Sequence, residues 1–273
     1  MTRTQTGVDY SEVHRIDSPA NRVLRADIWP AGQDLGQQSF ATLKYFDDIA
    51  DRLALDETTR VLDLGSGTGG PAIYISERTG CRMTGLEVNR VGNEVAQRMV
   101  AAADIGDRVD FVLADGMDMP FDDDAFDVVI SMNVLNVFAD KVALLRAVRR
   151  VLRPGGVFAF LSGTFEWGPR DDASRKMIET GYAIPQYTDS LASYKTKLAE
   201  AGFVVDEVVE YISDFGRQMR RWRNGWQKHR DILAAEQGAE QTDHHIDYFN
   251  VYLALVESGK ASNHLVISHR PED

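Results

Sequence analysis

Three glycines at the end of an apolar run mark the first chemistry in this chain. Gly65, Gly67 and Gly70 lie in Val61-Leu62-Asp63-Leu64-Gly65-Ser66-Gly67-Thr68-Gly69-Gly70. Glycine lets the backbone turn sharply there and approach a ligand closely, with the N-terminus of the next helix facing it. The G-x-G-x-x-G spacing alone is weak, because several nucleotide-binding folds share it. Glu87 ends the next apolar run, about twenty residues after Gly67, where a carboxylate can accept from both ribose hydroxyls of an adenosine group. Asp115, in Ala114-Asp115-Gly116-Met117, can accept from an adenine amino group while Met117 packs on the ring. The plain alternatives are a solvated strand-end acid for Glu87 and an Asx-turn residue for Asp115.

The elements that must position these residues alternate in the βαβ manner. Strands are expected at residues 60–64, 82–86, 109–113, 127–131 and 157–161, then at 204–212 and 264–269. Phe40, Leu43, Phe46, Ile49, Ala50 and Leu53 recur at helical steps. Further helices are expected at 71–78, 91–103, 142–152 and 191–201. Leu152-Arg153-Pro154-Gly155-Gly156 reads as a tight turn feeding strand five. Residues 1–36 are expected to form an N-terminal lid segment, and 37–212 with 264–273 the main domain. Residues 213–263 are expected to form a helical cap insertion, with helix-like stretches around 217–236 and 242–257.

Bulk properties bound the partners. A length of 273 residues suits one large domain with an insertion. The net charge of −12 opposes nucleic acid and anionic membrane as partners. No apolar run is long enough to span a bilayer, and residues 1–9 do not read as a signal peptide. The single cysteine, Cys81, suits a reducing cytoplasm.

Together, the glycine turn, Glu87, Ala114-Asp115-Gly116 and the segment 126–135 followed by Leu152–Gly156 resemble the class I S-adenosylmethionine-dependent methyltransferases. The likeness covers residues 37–161. It implies an α/β, Rossmann-like seven-stranded sheet with an antiparallel last strand, an N-terminal helical lid and a helical cap between strands six and seven. It also implies an S-adenosylmethionine donor held by Gly65, Gly67, Glu87, Asn89, Asp115, Gly116 and Met117, with Asn133 near its methionine part or the acceptor. In the C-terminal part, Trp226-Gln227-Lys228-His229-Arg230, Tyr248-Phe249 and Leu255 resemble small-molecule methyltransferases. That group includes the sarcosine and dimethylglycine N-methyltransferases and natural-product methyltransferases. The function implied is methyl transfer to an oxygen or nitrogen of a small metabolite, in natural product biosynthesis.

The chain departs from that pattern at the base. Many relatives carry histidine after strand four and aspartate at the end of strand five. Here those regions read Ser131-Met132-Asn133-Val134 and Leu161-Ser162-Gly163-Thr164. Either a cap supplies a base or the acceptor needs little help. Candidates are His244, His245 and Tyr10, with His14 and Tyr187 behind them. Adjacent histidines on a helix point apart, so one at most faces a pocket. For the same reason they converge poorly on an ion, and no metal is expected. Arg217, Arg220, Arg221, Arg223, Lys228 and Arg230 read as a solvated face or as binders of an anionic group on the acceptor. Tyr10 and Trp29 either close over the donor or pack the N-terminal segment. A protein that binds the donor without transferring methyl, as a cyclase or regulator, is the rival reading. The acceptor's identity and homo-oligomer formation stay open.

Overall fold

A computed structural model describes residues 18–181 and 184–272. Its centre is a single sheet of seven strands. Strands β1 (Arg60–Leu64), β2 (Arg82–Glu87), β3 (Val109–Leu113), β4 (Phe126–Met132) and β5 (Leu152–Phe165) run parallel. β6 (Val204–Glu210) and β7 (Ala261–His269) complete it, with β7 antiparallel to both β5 and β6. The order is β3-β2-β1-β4-β5-β7-β6. The chain steps outward from β1 to β3 and then crosses back to β4. At such a reversal, neighbouring connections leave in opposite directions and a crevice opens beyond the carboxyl ends of the strands.

Both faces of the sheet are covered, which is why its strands read as nearly continuous apolar runs. Alternate residues serve opposite faces. Val61, Met83, Ile130 and Leu161 meet α2 (Leu43–Arg52), α3 (Gly70–Thr79) and α4 (Arg90–Ala103) through Phe46, Ile49, Ile73 and Ala96. Leu62, Leu64, Val129 and Phe160 meet α5 (Lys141–Val151) and α7 (Leu191–Glu200) through Leu144, Val148, Tyr194 and Leu198.

A third apolar cluster joins the N-terminal segment to the cap. Leu24 and Ile28 of α1 (Pro19–Ile28) and the following Trp29 pack with Trp222 and Trp226 of α8 (Ile212–Lys228) and Phe249 of α10 (Ala239–Glu257). Between α8 and α10 lies α9 (Arg230–Gln237), so the expected helix over 217–236 is two helices. The break falls at His229, where the His229 and Lys228 side chains both reach Asp27 of α1. Phe40 lies before α2 and inserts its ring among Phe215, Trp222, Phe249 and Tyr252. Its periodicity with α2 therefore reflects a different core.

Several strand boundaries also differ from expectation, among them those of β5 and β6. β5 begins at Leu152 because the Arg153–Gly156 turn is a bulge inside the strand. Gly155 and Gly156 exchange backbone bonds with Arg270, and Arg153 pairs with Asp127. β6 stops at Glu210 because the Tyr211 N–H donates to the Asn263 carbonyl and α8 starts at Ile212.

The sequence reading passed over α6 (Asp172–Thr180) and the segment after it. Residues 184–189 are tied to the connection between β4 and α5. Lys141, 2% exposed, donates to the carbonyls of Phe138 and Tyr187 and pairs with Asp189 at 3.0 Å. Burial depresses the Lys141 ammonium, while Asp189 opposes that shift. Breaking one side of a buried pair leaves a charge without its counterion. Asp189→Asn is therefore expected to cost about 3–5 kcal/mol in urea unfolding. A loss within experimental error would show that the pair does not anchor this segment.

Candidate active site

The crevice at the strand reversal is a cleft of about 1120 Å³, part of it open to solvent. Its floor is the glycine turn after β1. The N–H groups of Gly65 and Ser66 both donate to the Leu86 carbonyl, which ties the turn to the end of β2. Gly65 has a φ of +78°, and a Cβ there would stand 2.6 Å from Val134. Only glycine meets both demands, so the wall carrying Val134 closes directly on the turn. Gly70 opens α3, and a Cβ on it would lie 1.7 Å from the Leu35 carbonyl oxygen. The segment before α2 thus crosses the turn in contact with it, and the Thr68 hydroxyl donates to the Gly36 carbonyl. Gln37, Gln38 and Ser39 of this segment line the cleft.

Glu87 ends β2 and is 5% exposed, yet it lines the cleft. One carboxylate oxygen accepts from the Gly67 N–H at 2.8 Å and the other from the Asn89 N–H at 2.7 Å. A carboxylate offers about four lone-pair sites, more than these two bonds occupy. Asn89 does not line the cleft; its side chain caps α4 by accepting from the Gly92 N–H. Asp115 and Gly116 line the cleft beyond β3. Asp115 Oδ1 accepts from the Met117 N–H at 2.9 Å, so an Asx turn is present and Oδ2 is not used by it. The Met117 side chain packs on the core under α5 and is not part of the cleft wall. Val134, Val137 and Phe138 form the apolar wall instead.

Asn133 follows β4 with a φ of +59°, a left-handed conformation uncommon outside glycine. Its N–H donates to the Leu161 carbonyl, and its side chain reaches Asn263. The cleft therefore brings together Gly65, Gly67, Glu87, Asp115, Gly116 and Asn133.

The proposed bases lie elsewhere. His244 is exposed on α10. His245 is buried against the Trp226 ring, 4.7 Å between centroids, and burial with neighbouring His244 pushes its imidazole down to about 4. Neither lines the cleft, because α10 turns that part of its length toward α8 and solvent. Tyr10 and His14 lie outside the described residues. Tyr187 is exposed and uses its carbonyl to hold Lys141. Trp29 packs on Trp222 in the cap cluster and is not in the cleft wall. Most of the basic run is matched by acids at the surface: Arg217 by Asp214, Arg220 by Glu257, Lys228 by Asp27, Arg230 by Asp243. None of these cations lines the cleft.

One acid went unread in the sequence. Asp63 in β1 is 3% exposed and lines the cleft beside Glu87. Burial, reinforced by the Glu87 charge, pushes its carboxyl up to about 7. The available signal was an aspartate inside the apolar run Val61-Leu62-Asp63-Leu64. Buried ionisable groups of this kind concentrate at functional sites.

Comparison with known proteins places this arrangement. The family described as Methyltransferase domain matches residues 62–160. Methyltransferase GfsG of Streptomyces halstedii is 32% identical over 210 residues, 73% of this chain and 75% of that one. The 27-O-demethylrifamycin SV methyltransferase of Amycolatopsis mediterranei is 36% identical over 180 residues, 65% of each chain. The crystal structure of the cyclase SpnF superposes with a TM-score of 0.73 at 22% identity, covering 84% of this chain and 81% of that one. With its sheet order, glycine turn and strand-end acids, the chain belongs to the class I S-adenosylmethionine-dependent methyltransferases.

Proposed function

We propose that this enzyme methylates a hydroxyl oxygen of an uncharged small molecule of natural-product type. The observation that carries this reading is the polarity of the cleft. One end holds the carboxylates of Asp63, Glu87 and Asp115, and the other is lined by Val134, Val137, Phe138 and Ile184 with the amides of Gln37, Gln38 and Asn133. Among the described lining residues there is no lysine, arginine or histidine. An acceptor carrying an anionic group would enter without a counterion, at a desolvation cost. The relative acting on 27-O-demethylrifamycin SV supports transfer to oxygen. A cytoplasmic setting suits the lone, buried Cys81.

The acidic end suits the charge and the hydrogen-bond donors of S-adenosylmethionine. Glu87 and Asp115 are the acceptors for ribose and adenine hydrogens, and the Gly65–Gly67 backbone forms the floor under them. Asp63 opposes the donor's positive charge. When bound, S-adenosylmethionine supplies an electrophilic methyl carbon, which the acceptor oxygen takes as the carbon–sulfur bond breaks toward sulfur and the hydroxyl proton passes to water. The protein's share is alignment, and positioning alone contributes about 7–11 kcal/mol in favourable systems.

Three outcomes follow. Glu87→Gln keeps the shape but removes the charge, so affinity for S-adenosylhomocysteine by calorimetry should fall by about 1.5–3 kcal/mol, tenfold or more. Unchanged affinity would remove Glu87 from the site. Below pH 7 Asp63 holds a proton in the free protein, and a cationic donor favours its loss. Donor affinity should therefore rise as pH increases through about 7 and then level off, and Asp63→Asn should flatten that rise. A flat profile in the parent protein would contradict the assignment. Finally, label from methyl-tritiated donor should reach oxygen on a panel of hydroxylated natural products, 27-O-demethylrifamycin SV among them. Tight donor binding with no transfer across the panel would favour the non-methylating reading.

A further inference from the structure

Behind the neutral end of the cleft, two buried amides leave hydrogen-bonding atoms unused; of Asn133, Asn263 and Tyr252, Asn133 is the one that lines the cleft itself. Asn133 Nδ2 donates to Asn263 Oδ1 at 3.4 Å, between the end of β4 and β7. Asn263 is fully buried, and its Nδ2 has no partner among the described residues. The same holds for Asn133 Oδ1. Burying an amide group without a hydrogen bond is unfavourable, so such groups point to a missing partner. Gly163 of β5 lies directly across from Asn263 in the sheet. A Cβ on Gly163 would stand 2.7 Å from the Tyr252 hydroxyl, so α10 brings that phenol into space vacated by a side chain. Phe40 packs on the Tyr252 ring, immediately after Ser39 of the cleft wall.

Resting on the reading of an uncharged hydroxyl acceptor, we propose that Asn133, Asn263 and Tyr252 form the subsite that binds an uncharged oxygen group of that acceptor. The open atoms are one amide acceptor and one amide donor. A hydroxyl donates once and accepts, and so complements both. Turning both amides over exchanges the roles but leaves one of each. An anion would meet the amide oxygen unfavourably, and a cation would meet the amide N–H. Tyr252 is buried, which holds its phenol in the neutral form, able to donate and accept. The left-handed backbone of Asn133 is the strained point that aims its amide at Asn263.

The test uses the full chain, saturated with S-adenosylhomocysteine and labelled with ¹⁵N at asparagine. Three probes of one skeleton are titrated: cyclohexanol, cyclohexylamine and cyclohexanecarboxylate. Cyclohexanol should shift the Asn133 and Asn263 side-chain amide signals saturably, and the two charged probes should not. Tyr252→Phe should weaken cyclohexanol about three- to tenfold, the scale of one neutral hydrogen bond. Gly163→Ala, which displaces the hydroxyl without removing it, should do the same. Signals unmoved by cyclohexanol, or moved equally by the carboxylate, would overturn the proposal. So would cyclohexanol affinity unchanged in both variants. Label transfer to a carboxylate or amine in the acceptor panel would instead overturn the hydroxyl reading, whatever these signals do.

Discussion

The site depends on one buried carboxylate receiving two backbone N–H groups from different elements. Glu87 accepts from Gly67 in the turn after β1 and from Asn89 at the head of α4. Charge-assisted bonds of this sort are stronger than neutral ones, and inside the protein there is little water to compete. They fix the turn, the end of β2 and the start of α4 relative to one another. Asn89 extends the arrangement by capping α4, so a residue outside the cleft still determines where Glu87 stands. The glycine turn is thus held in shape by a side chain that also lines the cleft.

Around that point the protein is layered by polarity. The sheet is sealed by apolar clusters on both faces, which leaves the crevice at the strand reversal as the place where polar groups gather. The N-terminal segment then joins two regions that the chain order keeps apart. α1 packs on the cap helices, while Arg25 on the same helix, itself buried, grips Asp34 and the Gln37 carbonyl. The segment that crosses the glycine turn is therefore anchored to the cap. Cap and glycine turn are connected through packed side chains and a buried guanidinium pair.

The sheet was legible in the sequence because period and punctuation agreed. β1 and β3 match their expected spans, since glycine or acidic residues end each apolar run cleanly. That Gly65, Glu87 and Asp115 line the cleft was legible for the same reason: each sits where a strand must hand over to a turn. Met117 was not. Its backbone N–H belongs to the Asp115 turn, and that turn directs the side chain into the core. The cap histidines misled because helical spacing does not say which face is covered; Trp226 is what buries His245. Asp63 was overlooked within an apolar strand, and Asn263 and Gly163 acquire meaning only when β5 and β7 are paired. Phe40 shows the opposite error, a residue with the right period for one helix but packed against another group of rings.

The central claim is that the acids beyond β1, β2 and β3 receive the adenosyl donor over the glycine turn. Crystals of the protein grown with S-adenosylhomocysteine test it directly. The account predicts density in this cleft with the ribose hydroxyls on Glu87 and the adenine amino group at Asp115. Density that leaves Glu87 and Asp115 untouched, or lies outside the cleft, would contradict it.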